Sequence, residues 1–169
     1  FYPGINLVYN QIELAKMTGD VSLVEKAFND AELVMYSAKK AGAERTSDFW
    51  TAATLLESSI FAGEVTPQMV QHCLETSQHD WELGATIGNL KGVAETISAQ
   101  LGSGELDEAT TERLTKILGI INGDTDNPGV LSVLEGESSL SVETETTPND
   151  AIVDQGVMYG ETTTLIGGN

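Results

Sequence analysis

Cysteine occurs once in the 169 residues, at Cys73, which excludes an internal disulfide and a cysteine-built zinc site. A reducing cytoplasm is the expected setting. Bases are scarce too: eight Lys and Arg face 26 Asp and Glu, a formal net charge of −18. Such a chain repels a phosphate backbone and an anionic bilayer, so neither nucleic acid nor membrane is an expected partner. No apolar run reaches the roughly 20 residues that a membrane helix needs. The opening Phe1-Tyr2-Pro3 has no initiator Met, basic region or cleavage site, and predicts a piece of a longer protein without a targeting signal. A phosphate-binding loop, a metalloprotease helix motif and a Ser/His/Asp order are all missing, so no enzymatic activity and no cofactor are expected.

What is present is enough to fold. A hydrophobic share of 40% is ordinary for a globular chain of this length. The apolar residues recur at helical spacing: Ile5, Val8, Tyr9, Ile12 and Ala15 form a first stripe behind Pro3, halted by Thr18-Gly19-Asp20. Val21, Val24, Ala27, Phe28, Ala31, Val34 and Met35 form a second, closed by Lys39, Lys40 and Gly42. Ser47 or Asp48 opens a third helix that ends at Gly63, and Thr66-Pro67 opens a fourth. A fifth runs from about Asp80 to Leu101 and a sixth from about Leu106 to Ile121. Gly84, Gly88 and Gly92 recur every four residues in the fifth. Each weakens a helix by about 1 kcal/mol relative to alanine, so they predict a close backbone approach or a break.

Short connections between six helices predict an all-α fold of stacked antiparallel hairpins over residues 1–121. A weak internal repeat agrees: Phe1-Tyr2-Pro3-Gly4-Ile5-Asn6-Leu7 aligns with Phe49-Trp50-Thr51-Ala52-Ala53-Thr54-Leu55, and Asp80-Trp81 with Thr86 and Asn89 echoes the order. From residue 122 to 169 the composition turns to Gly, Asp, Ser, Thr and Glu, with nine acids and no base, which reads as an irregular acidic tail. Ile152, Val153, Val157, Met158, Tyr159, Leu165 and Ile166 are too apolar for a purely solvating tail. They predict a docking segment over about 151–166, with a short strand pair around Gly160.

Candidate chemistry is thin. His72 and Cys73 are adjacent, but helical neighbours point about 100° apart, and His79 is about 10 Å further along, so packing is the expected role of Cys73. Asp124, Asp126, Gly129 and Glu135 match positions one, three, six and twelve of a calcium loop. Pro128 occupies position five, where an oxygen is wanted, and an ordinary turn is the favoured reading. Lys39, Lys40 and Arg45 are the only basic cluster; they compensate a helix end or anchor an anionic group. Trp50, Thr54 and Glu57 share one helical face, as do Tyr2, Asn6 and Asn10. These polar groups either bond within the core or line a groove open to a ligand.

The string Tyr2-Pro3-Gly4-Ile5-Asn6, followed by Asp48-Phe49-Trp50-Thr51-Ala52-Ala53-Thr54-Leu55-Leu56-Glu57, resembles the tetratricopeptide-like TRAFs-binding domain of apoptosis signal-regulating kinases and its bacterial relatives. The likeness extends through Trp81, Thr86, Asn89 and Leu90, covering about Tyr2 to Leu101. It implies stacked helical hairpins and a regulatory module of a larger signalling or defence protein, binding a protein partner or a covalently linked effector domain. A second implication is a sensor of a small nucleotide-like ligand, with Asn6, Trp50, Thr54, Glu57, Trp81 and Asn89 at the matching positions. The net charge argues against an anionic ligand unless Lys39, Lys40 and Arg45 line the site.

Overall fold

Helices form here where a side chain can receive the free amides at their start. The computed structural model describes residues 2–104, 106–124 and 127–136. It contains α1 (Tyr2–Thr18), α2 (Val21–Lys40), α3 (Phe49–Ala62), α4 (Pro67–Thr76), α5 (Asp80–Ser103) and α6 (Glu108–Asn122), with a single 3-10 turn at Ala43–Arg45. Asp20 accepts from the Ser22 amide at 3.0 Å, Asp48 from Thr51 at 2.9 Å and Asp107 from Thr110 at 2.9 Å. Thr66 caps α4 behind Pro67. At α5 the Glu82 carboxylate reaches back to the Gln78 and His79 amides, at 2.8 and 3.1 Å. The fold is all-α, and every expected helix is found within a residue or two of its predicted ends.

α3 is the axis of the packing. It is buried around its whole circumference: Ala52 through Phe61 are all covered, and most of them are apolar. The other five helices all pack on it, and α6 also reaches α2, where Arg113 pairs with Glu32 at 2.8 Å. Phe61 stacks on Phe28 of α2 at 6.1 Å and meets the Tyr9 ring of α1 edge-on at 5.6 Å. Short links bring consecutive helices back beside one another. By contrast α1, α3 and α5 run in the same direction. Lys16 pairs with Glu95 at 3.9 Å, Glu13 lies beside Gly92, and Trp50 meets Trp81 at 5.7 Å, so residue numbers rise together along the three. α1 also packs directly on α5, which closes the space that an open stack of hairpins would leave between them.

Two expectations are corrected. Gly84, Gly88 and Gly92 neither break α5 nor admit another backbone: the helix is continuous, and a Cβ would meet nothing at the first two and only the Glu13 carboxylate, at 3.9 Å, at the third. Close approach occurs at Gly4 instead, where a Cβ would lie 2.6 Å from a Val34 methyl. The body also continues beyond 121. Residues 130–136 are helical, and Val130 and Leu134 enter the same core as Ile117 and Ile121. Gly123 and Gly129 make this return possible, each so close to the other's backbone that a Cβ would overlap it. The docking segment and strand pair expected over 151–166 lie outside the described residues.

Gly88→Ala should therefore raise stability by about 1 kcal/mol in urea unfolding. Gly4→Ala should lower it by about 1–3 kcal/mol, because the stiff Val34 side chain has nowhere to move.

Candidate functional site

The three parallel helices meet at a polar point. Glu57 on α3 is 4% exposed, a position where an unpaired carboxylate is costly. Tyr9 of α1 and Thr86 and Asn89 of α5 surround it. Burial pushes the Glu57 carboxyl up to about 7, and the Tyr9 hydroxyl, the Asn89 amide and the Thr86 hydroxyl oppose that rise. Their bonding is incomplete: neither Tyr9 Oη nor Thr86 Oγ1 forms a well-shaped hydrogen bond among the described residues. Burial first, and the charge of Glu57 second, hold the Tyr9 phenol well above its usual value, so it keeps its proton at neutral pH. The same two causes raise the Cys73 thiol to about 12.

One turn beyond the N-terminal end of this cluster the interior gives way to an aromatic ledge. Trp50 is half-buried against Phe49, with ring centres 5.0 Å apart at 77°. Trp81 lies beside Trp50 and is 62% exposed; His79 stacks on its other side at 6.2 Å and 12°. From Trp81 the outer stripe of α5 continues through Gly84, Gly88 and Gly92, spaced so that all four share one face. The result is a strip with indoles at one end, a floor without side chains, and the exposed Asn89 along its border.

The predicted site residues divide into three groups. Trp50, Trp81 and Asn89 line this strip, and Asn6 is exposed on neighbouring α1. Thr54 and Glu57 face the same way but are interior, covered by the contact of α1 with α5. Lys39, Lys40 and Arg45 lie elsewhere. Lys39 pairs with Glu64 at 3.3 Å in a hollow that includes Leu55, and Leu55 points about 200° around α3 from Glu57. Lys39 is thus turned away from the strip.

The calcium candidate is dispersed. Asp124 Oδ1 accepts from the Asn127 amide at 2.9 Å, and Glu135 pairs with Lys91 of α5 at 2.7 Å. Asp126 lies outside the described residues. Among those described, no three His, Cys, Asp or Glu side chains converge on a possible metal position. His72 is half-buried and Cys73 fully so, and their adjacency makes no dyad.

Sequence reasoning gave Tyr9 only a packing role and His79 only a place in a rejected metal pair. The signal for Tyr9 was available: a hydroxyl and a carboxyl, each on an apolar stripe without a local partner, imply one another. That His79 stacks on Trp81 depends on the turn before α5, which no periodicity reveals. No family model, no curated protein and no solved structure matches the chain.

The raised carboxyl sets a pH test. Below the ordinary value of 4.5, Glu57 is protonated whether the chain is folded or not. Between 4.5 and about 7 the unfolded chain releases the proton while the folded one keeps it, so stability falls as pH rises and then levels off. Glu57→Gln should therefore match wild type near pH 4. It should gain steadily through that window, reaching about 3 kcal/mol at pH 8 in urea unfolding. Cys73 should resist alkylation at pH 8 in native buffer and react fully in denaturant, since a buried thiol with so high a value offers no thiolate.

Proposed function

We propose that this chain is a non-catalytic regulatory module whose strip along α5, anchored by Trp50 and Trp81, docks a protein partner or an effector domain of the same polypeptide. The observation that carries the reading is the placement of Trp81. A large indole is 62% exposed, held in register by Trp50 and His79, and adjoins a stripe with no side chains to obstruct an incoming backbone. Exposed aromatic anchors beside a flat floor are the usual centre of a polypeptide interface. The resemblance of the Trp50 block to a regulatory tetratricopeptide-like domain points the same way. The shared direction of α1, α3 and α5 suits a repeat in which first helices line one face.

A second reading is supported by the indoles themselves, which offer a stacking surface to a base. It places a small nucleotide-like ligand on the same strip. Its phosphates would find no partner in Lys39, which pairs with Glu64 around the far side of α3. Glu57 and the net charge oppose them, so the protein partner is preferred.

Trp50 and Trp81 are the chain's only tryptophans, so intrinsic fluorescence reads occupancy of this strip without a label. A partner recovered by proximity crosslinking should shift the emission and bind Trp81→Ala at least tenfold more weakly, as befits an anchor residue. The variant's own stability should change by less than about 0.5 kcal/mol, because the side chain is largely in solvent. Unaltered binding by Trp81→Ala would remove the strip from consideration. A nucleotide that shifts the emission and raises the melting temperature would favour the second reading.

A further inference from the structure

A second concave surface lies on the opposite part of the body and plays no role in the reading above. It is an elongated groove of about 940 Å³ between the start of α4, the outer face of α6 and the helical turn at 130–136. Its walls are mostly apolar: Val65, Pro67 and Val70 on one side, Ile120, Val130 and Val133 on the other. Val65, Ile120 and Val133 are only half-buried, so the groove leaves hydrocarbon facing water. Lys116 and Asp124 sit on its rim. Asp124 is engaged with the Asn127 amide, whereas Lys116 makes no ion pair among the described residues.

We infer that residues 151–166 of this same chain fold back into the groove and cover it. Connectivity supplies the first argument. The turn that forms one wall ends at Gly136, and residues 137–150 then separate that wall from Ala151. Fourteen residues reach at most about 50 Å, so the segment is long enough to return to the groove whose wall precedes it. Tethering holds the segment at an effective concentration near the millimolar range, so a modest apolar contact suffices. Chemistry supplies the second. Residues 151–166 contain Ile152, Val153, Val157, Met158, Tyr159, Leu165 and Ile166, matching a groove lined by Val, Ile and Pro. Charge supplies the third. The segment's ionisable side chains in the neutral range are the acids Asp154 and Glu161, while Lys116 is the last base in the sequence and stands at the rim. A carboxylate from the segment completes the ion pair that Lys116 lacks.

The test uses the full 169-residue chain. Amide hydrogen exchange is compared between wild type, Val157→Asp/Tyr159→Asp and Lys116→Glu. The first variant alters only the segment, and the second changes an exposed side chain, so neither threatens the helical core. Docking predicts that amides of 70–74 and 116–121 exchange about tenfold faster in the double variant and several-fold faster in Lys116→Glu, with α3 unchanged. Equal exchange in all three proteins overturns the inference. A photoreactive phenylalanine analogue at position 159 gives the independent readout. Crosslinks within one chain to residues 65–71 or 116–133, with yield independent of protein concentration, support docking. Links to a second copy, or to surfaces away from the groove, overturn it.

Discussion

Enclosing α3 on every side is the constraint on which the rest of the molecule depends. A helix with apolar residues around its full circumference cannot lie at a surface, so five other helices are drawn onto it. Three of the first helices in chain order, α1, α3 and α5, become parallel neighbours as a result. Glu57 is then trapped at their junction, where Tyr9, Thr86 and Asn89 converge from two directions. With its value raised to about 7, the carboxyl is held there about half protonated near neutrality, the compromise that burial imposes on it. One end of the same junction opens as the Trp50–Trp81 ledge, so core and surface are shaped by a single arrangement of rods.

The excess negative charge contributes little to this. All five ion pairs among the described residues are substantially solvated, and such pairs add at most about 1 kcal/mol each. Cohesion comes from the apolar cluster that runs from Ile5 to Leu134. The charge acts on encounters instead: it repels anionic surfaces and leaves neutral or basic polypeptides as the easier company.

Most of the helices were legible because their starts carry a capping side chain and their stops a glycine, as at Asp48 and Gly63. That Trp50 and Glu57 share one face was legible from their spacing. What spacing does not encode is which helices become neighbours across the fold. Whether Thr54 and Glu57 face a groove or the interior is decided by α1 meeting α5, residues some eighty positions apart. The glycines of α5 misled for a related reason: a missing side chain reads identically whether it admits a neighbour, as at Gly4, or faces water, as at Gly88. The return of the chain after Pro128 was hidden too, because a tight Gly123–Gly129 crossing resembles the start of an irregular segment in composition.

That crossing has a mechanical consequence. With both glycines pressed backbone to backbone and Val130 and Leu134 in one apolar cluster with Ile117 and Ile121, the turn at 130–136 is pinned to the end of α6. A side chain at either glycine would force the two backbones apart and lift Val130 and Leu134 from the interior.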